Sequence, residues 1–175
     1  MSQKELIIEE AKASDAVLIK HLLADLSQET TFITNDSKEM SLEVLEESLS
    51  ISEASLNSIC LLAKLEGQLI GLLNVVGSES SYTGHIGDLF IAVKKAYTGY
   101  GIGHTLMELA CDWAQHSPMI KRLELTVQAR NERAIKLYQD FEFEIEGVKK
   151  RALRLDDGRY IDLLMMSKWI GDDKA

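Results

Sequence analysis

Three glycines at alternate positions, Gly99, Gly101 and Gly103, stand where the apolar run Leu89-Phe90-Ile91-Ala92-Val93 gives way to a helical pattern. A helix start carries unpaired backbone N–H groups and the positive end of the helix dipole. Glycine lets an anion reach those groups without meeting a Cβ. The chemistry such a loop serves is capture of a phosphate-bearing ligand. Spacing narrows the choice. A dinucleotide fingerprint needs G-x-G-x-x-G, but His104 and Leu106 fill the last glycine position in the two frames. A nucleoside-triphosphate loop needs a Gly-Lys-Ser/Thr ending, which is absent. Taken alone, the glycines also describe a plain tight joint between strand and helix.

Other reactive side chains are sparse. His21, His85, His104 and His116 match no zinc spacing, and no G-x-S-x-G elbow occurs, so neither a metal nor a serine nucleophile is expected. Cys60 and Cys111 lack neighbours at ligand spacing and read as free thiols. Ala134, Leu137, Tyr138 and Phe141 recur at helical intervals, which by periodicity alone is a packing stripe. Asn131, just before it, is of a type that caps a helix.

The elements that must position these residues follow from hydrophobic period and turn chemistry. Leu6-Ile7-Ile8 reads as a first strand, and Ser14 as the start of a helix carrying Ile19, Leu22, Leu23 and Leu26. A polar loop from Ser27 to Ser37 leads to a second helix with Leu42, Leu45 and Leu49. Ile59–Leu65 and Leu69–Val76, joined at Glu66-Gly67, form a hairpin. Ile86–Val93 is a strand, and the helix after the glycines carries Ile102, Leu106, Leu109, Ala110, Trp113 and Ala114, with Pro118 just past its end. Leu123–Val127 is a strand and Asn131–Phe141 a short helix. Strands at about Phe143–Leu155 and Tyr160–Trp169 meet at Asp156-Asp157-Gly158. The order β-α-α-β-β-β-α-β-α-β-β predicts an α/β (α+β) fold, a mixed sheet with helices on its faces.

Composition agrees with this and excludes other classes. With 175 residues, 46% hydrophobic and 27% charged, the chain is expected to form one globular domain from 1 to 175. The net charge of −9 argues against nucleic-acid binding and mildly favours a cationic partner. No apolar run is long enough to cross a bilayer, and the start shows no signal-peptide pattern, so a cytoplasmic protein is expected.

Thr98-Gly99-Tyr100-Gly101-Ile102-Gly103 resembles the coenzyme A-binding loop of the GNAT N-acetyltransferase superfamily, Q/R-x-x-G-x-G/A. The stretch from Asn131 through Ala134, Leu137 and Tyr138 to Phe143 is similar to that family's second motif, N-x-x-A-x-x-L-Y-x-x-x-G-F. Two motifs in the right order outweigh either alone, and the element order matches from about residue 5 to 169. Two departures stand out. Thr98 occupies a position usually Gln or Arg, and Glu142 occupies that of the glycine before the last aromatic.

The resemblance implies a GNAT fold with a sheet of six to seven strands and about four helices, and acetyl-CoA as co-substrate. It implies a bulged strand before the loop that splays from the next strand, with the pantetheine arm held by backbone groups of Ile91, Ala92 and Val93. The diphosphate would meet Thr98, Gly99, Tyr100, Gly101, Ile102, Gly103 and His104, and the cofactor would also contact Asn131, Ala134 and Tyr138. Tyr138 becomes the general acid for the departing thiolate, and Asp88 and Glu124, on the splaying strands, become candidate bases. Glu29 and Phe32, in the loop after the first helix, would form the acceptor wall. The strand pair around Arg151, Tyr160 and Asp162 resembles that of members acting on free amino acids or protein N-termini, or equally forms cross-strand pairs or a homodimer contact. The implied activity is acetyl transfer to a small amine or peptide N-terminus. A catalytically silent acyl-CoA sensor is the alternative.

Overall fold

The computed structural model describes residues 4–33 and 40–171. Seven strands and four helices follow the expected order: β1 Leu6–Glu10, α1 Ala16–Glu29, α2 Leu42–Ala54, β2 Ile59–Leu65, β3 Gln68–Gly77, β4 Ile86–Val93, α3 Ile102–His116, β5 Arg122–Gln128, α4 Glu132–Asp140, β6 Glu144–Arg154 and β7 Tyr160–Trp169. One sheet takes them in the order β1-β2-β3-β4-β5-β7-β6. Only the β4–β5 pair is parallel, with α3 as its crossover.

Each face of the sheet has its own core. On one side α3 lays Leu106, Met107, Ala110 and Ala114 against Leu73, Val75 and Leu123. On the other, Ile19, Leu22 and Leu26 of α1 and Leu49 of α2 meet Leu62, Leu72 and Ala92. Strands β2 and β3 lie between both layers, which is why they read as unbroken apolar runs. Their two-residue turn places Glu66 and Gly67 at φ of 50° and 81°, the left-handed pair that suits a twisted hairpin.

Several expectations need correcting. Ser14 does not start α1; it sits in a 3-10 turn, Ala13–Asp15, held by the Asp15 carboxylate, which accepts from Lys12 N–H (2.9 Å) and Lys64 Nζ (3.1 Å). Helix α1 runs on to Glu29, so Ser27–Glu29 are helical and Glu29 is not in a loop. Of the segment expected as loop, residues 34–37 lie outside the described residues. The bulge expected in β4 is not found against β3: their register is continuous from Gly71↔Val93 to Gly77↔Gly87. Register shifts fall instead in the β2–β3 pair, where Ile70 of β3 is the extra residue opposite Ala63/Lys64, and in the β6–β7 pair. Strand β4 leaves β5 simply because their ladder ends.

Candidate active site

The β4–β5 ladder is short. It pairs Ile86 with Arg122, Gly87 with Leu123 and Asp88 with Glu124, and goes no further. Beyond that point the strands part and a cleft of about 780 Å³ opens between them, continuing under the glycine loop and the start of α4. Ile91, Ala92, Val93, Thr98, Gly99, Gly101, Ile102, Gly103, His104, Asn131, Ala134 and Tyr138 all line it, as do Glu29 and Phe32. The positions that the family resemblance implies thus border one and the same cleft.

The backbone of β4 offers free groups to it. Lys94 N–H donates to Ile70 O at 2.8 Å, which makes Lys94/Ile70 a bonded pair of the β3–β4 ladder. Bonding in an antiparallel ladder alternates, so Ala92 and Phe90 also turn their amides to β3. Those of Ile91 and Val93 point the other way, into the opening. At the far end the loop climbs into α3 with Gly99 at φ 88° and Gly101 at φ 80°. Apart from its neighbours along the chain, no described residue lies within 4 Å of where a Cβ on Gly101 would sit. Among the described residues, the N–H groups from Gly99 to His104 have no protein acceptor; Thr105 N–H, bonded to Gly101 O at 3.0 Å, is the first that does. Six amides around an open cradle fit a diphosphate.

Tyr138 forms part of the cleft wall from α4. Its side chain is 6% exposed and packs beside Phe143, ring centres 6.0 Å apart. The ring belongs to the core and the residue also borders the cleft, while the hydroxyl, without a protein partner among the described residues, is not sealed away. Burial pushes its pKa up to about 12, so it stays protonated at neutral pH and can give a proton rather than take one. Asn131 also serves twice: its Oδ1 caps α4 through Ala134 N–H at 3.3 Å, while the residue lines the cleft.

Other expected residues stand elsewhere. Tyr100 is 79% exposed and outside the lining, so only its backbone can contribute. Asp88 and Glu124 lie side by side at the last paired register, next to the cleft rather than in its lining. Desolvation, then the Glu124 charge, raises the Asp88 pKa. Glu124 itself is held by Arg122 Nε at 3.1 Å. Glu29 is in the cleft but its Oε2 accepts from Lys95 N–H at 2.9 Å, tying the end of α1 to the loop after β4. Arg151, Tyr160 and Asp162 satisfy one another: Asp162 Oδ1 accepts from Arg151 N–H at 2.9 Å, and the Arg151 guanidinium lies 5.9 Å from the Tyr160 ring centre.

Spacing missed the residues that come from far along the chain. Gln128, 3% exposed at the end of β5, donates to Thr31 O at 2.7 Å. Arg130 donates through Nε to Gln128 Oε1 (2.8 Å) and through Nη2 to Thr31 Oγ1 (2.8 Å), and lies 4.8 Å from the centre of the Phe32 ring. This latch fixes the segment after α1 over the cleft. Arg133, on the first turn of α4, also lines it. Among the described residues no group of three or more His, Cys, Asp or Glu could hold a metal, and no helix is long and apolar enough to cross a membrane.

Comparison with known proteins matches this geometry. The model of the acetyltransferase (GNAT) family matches residues 21–143. The L-amino acid N-acetyltransferase AaaT of Escherichia coli (strain K12) is 29% identical over 167 residues, covering 94% of this chain and 98% of that protein. A GNAT-family acetyltransferase from Streptococcus pneumoniae superposes with a TM-score of 0.90 at 40% identity, covering 95% of this chain and all of that one (100%). The fold is shared as well with yncA from Salmonella typhimurium, solved with its cofactor acetyl-CoA, at a TM-score of 0.84 and 17% identity over 98% of this chain and 97% of that one.

Proposed function

The chain belongs to the GNAT acetyltransferase family and is an acyltransferase, and from that premise we propose that it moves the acetyl group of acetyl-CoA onto the primary amine of a small acceptor, a free L-amino acid first, with both substrates bound at once. The observation that carries this is one cleft with unpaired amides at its loop end and Tyr138 on its wall. The likeness to an L-amino acid N-acetyltransferase along nearly the whole chain supports the acceptor class; protein N-termini and other small amines are the remaining candidates.

Bound acetyl-CoA supplies an activated thioester. The chain supplies place and proton. Amides of Gly99 to His104 hold the diphosphate, Ile91 and Val93 pair with the pantetheine arm, and Asn131 and Ala134 flank it. Glu29 and Phe32 face the acceptor, Glu29 with the carboxylate oxygen that Lys95 leaves free. Tyr138 Oη donates its proton to the departing sulfur. With the phenol at about 12 and a free thiol near ~8.5, complete transfer is uphill by about 5 kcal/mol, less once the thiolate is desolvated in the same cleft. The acid therefore acts chiefly through a hydrogen bond that strengthens as the C–S bond breaks.

A peptide α-amine with pKa near ~7.8 loses its proton at neutral pH for about 1 kcal/mol, whereas the α-ammonium of a free amino acid, with its carboxylate alongside, lies nearer the about 4–5 kcal/mol of a lysine side chain. A free amino acid therefore needs a carboxylate acceptor, reached directly or through water. Asp88, more basic than an ordinary carboxylate and free of the arginine that occupies Glu124, suits that part. The free thiols of Cys60 and Cys111 accord with a reducing cytoplasm.

Thiol release from acetyl-CoA, read across amino acids, polyamines and N-terminal peptides, tests the assignment. Turnover should be fastest with one or more L-amino acids. No turnover with any amine contradicts it.

A further inference from the structure

We infer that Arg133, reaching from the first turn of α4, provides the cationic contact to the acetyl-CoA diphosphate that Thr98 does not. The inference rests on the acetyl-CoA reading above.

Thr98 is spent. Its Oγ1 donates to Lys95 O at 2.8 Å and closes the turn before the glycines, so the hydroxyl offers the anion no donor. Nearby cations are spent as well. Lys94 Nζ pairs with Asp25 at 2.9 Å, and the Arg130 guanidinium is engaged by Gln128 and Thr31. Yet the ligand is a polyanion approaching a chain of net charge −9, and amide dipoles alone leave its charge largely uncompensated.

Two cationic side chains of the described lining remain, Lys95 and Arg133. Arg133 is exposed and makes no ion pair or hydrogen bond with any described residue. Its helical neighbours three and four residues on are Lys136 and Leu137, so no acid stands where a partner on α4 would. Its Nη2 lies 3.5 Å from the point where a Cβ on Gly99 would begin. The guanidinium thus hangs over the first of the free amides, and Gly99, at φ 88°, leaves the gap between them clear. Packing explains how it gets there: Leu137 Cδ2 lies 3.5 Å from where a Cβ on Gly103 would sit and the His104 and Phe141 rings are 4.7 Å apart, so α4 lies against the start of α3 and brings its arginine to the positive end of that helix. A guanidinium grips two phosphate oxygens side by side, which an ammonium at the same place cannot do.

The test uses Arg133→Gln and Arg133→Lys in the full chain, with calorimetric affinities for acetyl-CoA and for its 3′-dephospho form. Because Arg133 has no described protein partner, both variants should fold as the parent does, and melting curves check this. Arg133→Gln should bind both ligands about ten- to hundredfold more weakly than the parent, by the same factor, and Arg133→Lys should recover part of the loss. Unchanged affinity of the Gln variant overturns the inference. So does a loss seen only with acetyl-CoA, since that places Arg133 on the ribose phosphate. If the parent itself binds neither ligand, the acetyl-CoA reading fails first, and the inference with it.

Discussion

Strands β4 and β5 behave as two different structures along one pair. From Ile86 to Asp88 they are bonded to each other, and Gly87 is packed so tightly that a Cβ there would lie 2.5 Å from Val75 Cγ1 and 3.1 Å from Leu123 Cδ2. Arg122, on β5 beside this end, ties its strand to β6 and to its own Glu124 rather than to β4. Its Nη1 and Nη2 grip Glu146 at 2.6 and 2.5 Å, and its Nε holds Glu124. From Leu89 and Leu125 onward the same strands share no bond, and their inner groups face the cleft. The closed end works as a hinge pin. It lets the open end keep unpaired backbone groups at a fixed distance, available to a ligand.

Damage to the two ends should therefore be felt in different measurements. The largest effect is expected at the open end. Tyr138→Phe should lower kcat by about a hundredfold while the KM for acetyl-CoA moves less than about threefold, because it removes one proton and keeps the ring packing. An unchanged kcat returns Tyr138 to the core.

Next comes the closed end. Gly87→Ala should cost about 1–3 kcal/mol of stability in denaturant melts, from crowding against Val75 and Leu123. The acetyl-CoA affinity of the folded fraction should fall with it, since a forced gap at the pin alters the splay; an unstable variant with parental affinity separates the two ends more than we claim.

The smallest effect concerns Arg122→Gln, which at neutral pH should cost under about 1 kcal/mol because the pair is partly exposed. Its signature is pH. Arg122 first, then Ser167, hold the Glu146 carboxylate down to about 2 from its ordinary 4.5. A lowered acid pKa gives stability that is present above about 4.5 and lost as pH falls toward 2. The parent should lose stability across that window more steeply than Arg122→Gln. Parallel curves contradict the coupling. Asp88, with a raised pKa, works in the opposite sense: its share is complete below the ordinary Asp value and is lost as pH climbs through the raised one.

Local pattern made the open end legible and left the closed end obscure. Glycine spacing, the Asn131 cap and the stripe through Tyr138 are features of short segments, and each landed in the cleft. Strand limits were legible for a similar reason, since β-rich runs such as Ile59–Leu65 and Ile86–Val93 end where turn residues begin. The latch did not show itself, because Thr31 and Gln128 are 97 positions apart and meet only through the fold. Arg133 was within reach of sequence reasoning: an acidic chain that takes an anion must bring cations to its loop, and Arg133 sits inside the second motif. Glu142, where the motif has glycine, adopts φ 65° all the same, so the backbone keeps a glycine's conformation without the glycine. Lys168 Nζ, 3.1 Å from its carboxylate and 2.9 Å from Phe141 O, helps hold it there. Asp88 and Glu124 were drawn to the cleft by their strands, but register, which sequence does not print, stops them at its apex.

Amide hydrogen exchange with and without saturating acetyl-CoA tests the division most directly. Peptides spanning Ile91–Val93 and Gly99–His104 should gain strong protection while one confined to Ile86–Asp88 stays as it was. Bound ligand that leaves the glycine-loop amides exchanging at their free rate would contradict the account.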